Sequence, residues 1–590
     1  MGNQQQCLPR KKQHPCSSKN VKQQGYFQCQ IERRTSLKNL KKVEIIQILD
    51  SKHKQYQIND HLNQSLVRTN SQENKNSKRN TLIRLERSTQ VNSRFETHAD
   101  NFTQASQIQA HDNSLYKGLD QQLIFVDQEK MQEQKMNQIN DKIQRALSHQ
   151  KIAKYYNLQR LLGEGSYGVV HFATDARGLG LKRAVKSINK EYKSQFLSEA
   201  NSLLKLDHPN IVKLYDVYEN EDKFMLVMEY CEIGNLSQLI QAQSQEFLDE
   251  KLCAKITYQI LKATQHIHNQ GLIHRDIKAE NILISFKDKD DVSVKMCDFG
   301  LSIQLLQEVM HENSETFEKF KEVVGSPYYI APEVLKKDYS QSCDIWSIGI
   351  LLYFLISKQF PFMGQTNDDV INQILNNKLK FQGEIWKTVS IEAKDLISRM
   401  LIKNPINRIS ISDALNNSFI QQIKPSMKLK VSENMQPLMQ NNFEIKDDLY
   451  TLALCNITKF ISPCEISKLN KIYYNLNDKK DETECPILES PEINKKLPYS
   501  HFLALTVNIQ NIGKQQLWNG YKLMIDDDRH GINKETLRRK LSLTQYNKNE
   551  SEIETIIDNI YEEAFSQETG SKKECISFVD YITYMKQFKQ

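Results

Sequence analysis

The chain has 590 residues, 39% hydrophobic and 26% charged, with 79 basic against 72 acidic side chains and a formal charge of +7. That length exceeds one ordinary core, so two or three domains joined by linkers are expected. Eleven cysteines with no C-x-x-C pair argue against a zinc site or a disulfide framework, and no run reaches the ~18 apolar residues of a spanning helix.

Residues 1–150 are rich in Gln, Asn, Ser and Lys and read as a basic N-terminal extension, mostly disordered. Residues 1–94 hold 19 Lys and Arg against 6 Asp and Glu, while residues 95–150 hold 5 against 8. The charge therefore belongs to a tail, and its expected partner is an anionic membrane surface rather than nucleic acid. Met1-Gly2-Asn3 resembles an N-myristoylation start, with Cys7 as a second acylation candidate and Gln6 where Ser or Thr is preferred. One acyl chain holds only weakly, and Arg10, Lys11 and Lys12 supply the basic cluster that would assist it. The expected location is cytoplasmic, the first thirty residues lacking an apolar secretory core, with membrane association through acylation. Met136, Ile139, Ile143 and Leu147 then recur at steps of three or four, a weak helical pattern running towards Tyr155.

From Tyr156 short β-like runs follow, Leu158 to Leu162, Val169 to Ala173, Arg183 to Ile188 and Phe224 to Met228. Helical patterns succeed them at Leu252 to His268 and Ile345 to Ile356. A small strand-rich part before a larger helical one reads as a two-lobed fold. Leu162-Gly163-Glu164-Gly165-Ser166-Tyr167-Gly168-Val169-Val170 lies between two of the predicted strands, where glycines let backbone N–H groups approach phosphates. Lys186 sits mid-strand and needs an anion once desolvated; Glu199, in the helical run Phe196 to Leu206, is its natural partner. His274-Arg275-Asp276-Ile277-Lys278-Ala279-Glu280-Asn281 and Asp298-Phe299-Gly300 follow. Asn281 and Asp298 are oxygen ligands suited to Mg²⁺, and Asp276 can take a hydroxyl proton.

Glycine loop, strand lysine, helix glutamate, H-R-D-x-K-x-x-N, D-F-G and Ala331-Pro332-Glu333 occur in the order of the protein kinase family, which residues 156–420 resemble. The resemblance implies an α+β, bilobal protein kinase fold that binds ATP and Mg²⁺ and phosphorylates protein Ser/Thr hydroxyls. Asp276, Lys278 and Asn281 would be catalytic, and Glu229 to Cys231 would form the adenine-binding hinge behind Met228. Lys278 and Ser326 resemble the serine/threonine class. Glu322 stands where many kinases carry a phosphorylated threonine facing Arg275, so activity is expected without activation-loop phosphorylation. Asn235 replaces a glutamate usual in relatives that prefer basic substrates.

Leu206 to Tyr215 and Asp298 to Ser302 resemble the calcium-dependent protein kinases, a family with an autoinhibitory junction and four EF-hands. That resemblance implies a junction-like segment over 421–461 and an all-α, EF-hand-like domain over 462–590. The ligand pattern departs from it. In the third hand Asp526, Asp528 and Gly531 fit positions 1, 3 and 6, but His530 takes position 5 and Thr536 falls where a bidentate glutamate belongs. Weakened or lost calcium binding is the expectation. The alternatives are one surviving calcium site at Asp526 and Asp528 that still switches the enzyme, or a pseudokinase scaffold, against which Lys186, Asp276, Asn281 and Asp298 speak.

Overall fold

Strand β4 (Lys182–Asn189) carries six consecutive buried residues, the mark of a strand covered on both faces. It is central to a six-stranded sheet with β1 (Leu147–Ser148), β2 (Tyr156–Glu164), β3 (Gly168–Asp175), β5 (Leu214–Glu219) and β6 (Lys223–Glu229). The order is β1-β5-β6-β4-β3-β2. Every pairing is antiparallel except that of β1, which lies parallel to β5 with Leu147 opposite Val217. Helix α1 (Lys193–Lys205) buries Phe196, Ala200 and Leu203 in the apolar cluster that also takes Val217 and Leu226 of the sheet. In the computed structural model the described residues are 141–165, 167–242, 248–288, 291–304, 323–423, 448–478, 498–507, 511–526, 531–544, 548–565 and 574–587, all within one unit, Leu123–Gln590.

The large lobe is helical. Helix α2 (Leu236–Ala242) precedes α3 (Glu250–Asn269), whose N-terminus is capped by Asp249 accepting from the Leu252 amide. Short strands β7 (Leu272–Ile273), β8 (Ile282–Lys287), β9 (Val292–Met296) and β10 (Ile303–Gln304) pair as two small ribbons, β8 with β9 and β7 with β10. Helix α4 (Ser342–Ser357) is apolar almost all round and correspondingly buried, as a central core helix must be. Helices α5 (Asn367–Asn376) and α6 (Ile391–Met400) complete the lobe; Thr366 and Asp369 form a capping box on α5. Arg408 donates to both carboxylate oxygens of Glu333, an ion pair enclosed within the lobe.

A third, mainly helical part follows: α7 (Asp448–Ile457), α8 (Pro463–Asp478), α9 (Tyr499–Leu505), α10 (Lys514–Lys522), α11 (Lys534–Thr544), α12 (Glu550–Phe565) and α13 (Phe578–Gln587). Strands β11 (Ile532–Asn533) and β12 (Cys575–Ile576) pair antiparallel, joining the loop between α10 and α11 to the loop between α12 and α13. Gly531, at φ +71°, enters this ribbon where a Cβ would stand 2.6 Å from the Ile576 carbonyl, so only glycine fits.

Two boundaries differ from those expected. Residues 141–146 are helical and lead into β1, so the folded part begins before residue 150. Helix α7 shares its core with α10 to α13, whereas Tyr473, Tyr474, Tyr499 and Phe502 of α8 and α9 join the core of the large lobe. These aromatics carry much apolar area, and burying it against a neighbouring lobe outweighs membership of a separate domain.

The joint is also polar. Asp207 accepts from the Ser500 amide and hydroxyl at 2.8 and 2.7 Å, and Lys471 pairs with Asp291 at 2.9 Å. The most enclosed carboxylate of the joint is Asp216 of β5, 5% exposed. It accepts from Tyr156 Oη at 2.8 Å, from Arg539 at 3.0 Å and from Lys540 at 2.7 Å. Burial alone would raise its pKa; the Lys540 and Arg539 charges hold it well below the ordinary carboxylate range.

Lys540 shows the other side of this arrangement. Its ammonium is pushed down from 10.5 to about 8, burial outweighing the pull of Asp216. Between these values the unfolded chain holds a proton that the folded chain releases, so rising pH favours folding there and the burial cost is full below about pH 8. Lys540→Met removes that linkage. The melting temperature of the unsubstituted protein should gain on that of the variant as pH rises from 7 towards 10; parallel curves would contradict this.

Candidate active site

The glycine loop is a hairpin between β2 and β3. Gly163 lies opposite Val170, and the Gly165 amide donates to the Gly168 carbonyl at 2.8 Å. At Gly168 a Cβ would stand 2.0 Å from the Ser187 carbonyl of β4, so glycine allows the strands to meet, while Gly163 faces open space. Ser166 lies outside the described residues. Lys186 of β4 pairs opposite Val170 and reaches two carboxylates, Glu199 of α1 at 2.6 Å and Asp298 at 2.8 Å. Burial works to lower the Lys186 pKa, yet Glu199 and Asp298 hold it above the ordinary lysine value, so the ammonium stays charged. Asp298 is correspondingly lowered: burial opposes, and Lys186 prevails.

The loop after β7 carries the second group of residues. Asp276 Oδ1 accepts from Ser326 Oγ at 2.9 Å and Oδ2 from Lys278 Nζ at 2.5 Å; Lys278 also donates to Ser326 at 3.0 Å. Asn281 Nδ2 donates to the Asp276 carbonyl and side chain at 2.9 and 3.0 Å. A hollow opens beside Asp276, lined by Arg275, Gly325, Ser326 and Tyr329. Arg275 (φ +67°) and Asp298 (φ +64°) adopt left-handed backbone, which costs a side-chain-bearing residue about 1 kcal/mol or more and persists where surroundings over-determine it.

Asp344, fully buried at the start of α4, supplies that constraint for Arg275. Its carboxylate accepts from the His274 and Arg275 amides at 3.0 Å each and meets His268 Nε2 at 2.8 Å. Burial works to raise its pKa, but the His268 hydrogen bond and charge keep it low. The Arg275 guanidinium is held by the Leu301 carbonyl at 2.6 Å and Tyr339 Oη at 2.9 Å, partners that nothing local in the sequence points to. Glu322 lies outside the described residues.

The expected residues thus converge from both lobes. Lys186 and Glu199 come from the small lobe, Asp276, Lys278, Asn281 and Ser326 from the large one, and Asp298 bridges them through Lys186. Met228 is buried on β6, with Glu229 and Cys231 after it at the lobe junction. Glu229 pairs with Lys295 at 2.9 Å. An ammonium fixed between carboxylates can meet phosphate oxygens, Asn281 and Asp298 offer hard oxygen donors to Mg²⁺, and Asp276 can orient and deprotonate a hydroxyl.

The third-hand loop presents a different picture. Thr536 Oγ1 donates to Asp526 Oδ2 at 2.8 Å, and Arg539 donates to Asp526 Oδ1 at 2.6 Å while also holding Asp216. Tyr155 Oη donates to the Asp526 carbonyl at 3.0 Å. Donors thus occupy both oxygens of the Asp526 carboxylate, and a hydroxyl stands at Thr536. Asp528 and His530 lie outside the described residues, as do Gly2 and Cys7.

Asp276→Asn keeps the size of the side chain and removes its basicity. Phosphotransfer to a Ser/Thr peptide at saturating ATP should fall by about 10²-fold or more, with the melting temperature little changed; retained turnover would exclude Asp276 as the acceptor of the proton.

The protein kinase domain family matches residues 156–420. The chain is 31% identical to calcium-dependent protein kinase 20 of Oryza sativa subsp. japonica, covering 62% of this chain and 69% of that protein. It is 29% identical to calcium-dependent protein kinase 8 of Arabidopsis thaliana, over 74% and 84% of the two chains. With calcium-dependent protein kinase 3 of Plasmodium yoelii yoelii it shares 30% identity, over 63% and 72%. The chain therefore belongs to the calcium-dependent protein kinase family and is an ATP-using protein serine/threonine kinase.

Proposed function

We propose that this kinase transfers phosphate independently of calcium, its C-terminal lobe serving as a fixed brace on the catalytic domain. The observation that carries the reading is Arg539. Its guanidinium lies against the first carboxylate of the third hand and, from the same side chain, against Asp216 of the small lobe. An internal cation thus occupies the charge environment that a calcium ion would need. Thr536 supports the same reading, because one hydroxyl cannot replace a bidentate carboxylate.

In the catalytic step, Asp276 orients the substrate hydroxyl and accepts its proton, and Lys278 stabilises charge on the phosphoryl group in transit. Lys186, aligned by Glu199, binds the nucleotide phosphates; Glu229 and Cys231 bracket the hinge that holds adenine. Asp298 and Asn281 are the residues that would hold Mg²⁺, which when bound neutralises the phosphates. The Leu301 and Tyr339 contacts of Arg275 support activity without a phosphate on the activation loop. Glu322 would add to them.

The basic tail and Gly2 support a membrane-associated cytoplasmic kinase. In cell fractionation, Gly2→Ala should move the protein from the membrane pellet to the soluble fraction; unchanged partition would remove the acylation proposal.

The regulatory reading is tested by assaying the full chain with chelator and with free calcium up to about 10⁻⁴ M, above the range of sensor EF-hands. Rates should agree within about twofold across that range. Activation by calcium of tenfold or more would overturn the reading and favour a surviving calcium switch.

A further inference from the structure

Residues 141–149 precede the kinase domain, yet they are built into it. Ile143 and Ala146 are fully buried and Leu147 is 6% exposed. All three lie in the apolar cluster that contains Phe196, Ala200, Leu203 and Leu204 of α1 and Val217 of β5. Backbone pairing fixes the register, with Leu147 opposite Val217 and Ser148 opposite Tyr218.

Charged groups place the segment beside both ends of α1. At one end Lys142 lies close enough to Lys205 for their like charges to repel, adding to the burial that lowers the Lys205 pKa, so the pair marks position and supplies no attraction. At the other, Glu219 meets His149 at 3.6 Å and Lys190 at 2.7 Å, and Lys190 belongs to the turn that feeds α1. Arg145 reaches Glu550 of α12 at 3.7 Å, so the segment also touches the C-terminal lobe.

Helix α1 has one catalytic duty, to present Glu199 to Lys186. Its placement depends on what fills the space between it and the sheet edge. We infer that residues 141–149 are a positioning element for α1, with Ile143 and Leu147 as the positioning residues that keep Glu199 on Lys186. Misplacing such a pair by about 1 Å can cost up to ~10²-fold in rate, although neither residue touches a substrate. A mere covering strand would affect stability alone.

The test uses the full chain carrying Ile143→Ala with Leu147→Ala. The KM for ATP should rise and kcat fall, about tenfold together, while the KM for a peptide substrate stays unchanged. Hydrogen exchange should quicken at α1 amides and not at those of α4. Leu147→Met, which conserves volume, should retain ATP kinetics. Ile143→Val serves if the double variant unfolds, and should move the ATP KM the same way by a smaller factor. Unchanged ATP kinetics in either truncation, or exchange that quickens equally in α1 and α4, would overturn the inference.

Discussion

A single buried carboxylate, Asp216, ties the small lobe to the C-terminal lobe. It sits on β5, takes a hydroxyl from the first residue of β2 and receives two cations from α11 of the C-terminal lobe. None of these groups is tolerable alone in such a place. An unpaired buried Asp216 would cost several kcal/mol, and so would an unpaired Arg539. Their mutual satisfaction makes the docked arrangement of the lobes a requirement of the charge balance. Undocking would expose not only Asp216 but also the aromatic face of Tyr473, Tyr474, Tyr499 and Phe502.

The catalytic cleft repeats the same device at shorter range. Lys186 is stabilised by Glu199 and Asp298, and Asp344 gathers the amides of His274 and Arg275. In both places a buried charge is satisfied by groups from a distant part of the chain. Electrostatic preorganisation of this kind lets the site meet developing charge without rearranging at the moment of reaction. Strands β2 and β5 link the cleft to the lobe joint: β2 carries the glycine loop and Tyr156, and β5 borders α1 and carries Asp216.

Much of this was legible in the sequence because kinase chemistry demands particular side chains at fixed spacing. Lys186, Glu199, Asp276, Asn281 and Asp298 could each be named from motif order, and the strands and helices that carry them follow from periodicity. The lobe joint could not be read that way. Asp216 and Arg539 are 323 residues apart, and nothing in either neighbourhood distinguishes a buried ion pair from a solvated surface charge. Ile143 and Leu147 did show helical spacing, but their polar, Gln-rich surroundings hid the turn from helix to edge strand after residue 146. The departure of Thr536 was visible; the capture of Asp526 by Arg539 needed three dimensions.

In the proposed reading the lobe stays where it is, with Arg539 in the role that an added cation plays in a working hand. Hydrogen exchange at the amides of residues 532–544 in the full chain, followed while calcium is titrated, tests this most directly. The account predicts exchange rates that do not change between chelator and saturating calcium. Protection that grows and saturates with calcium in that segment would contradict it.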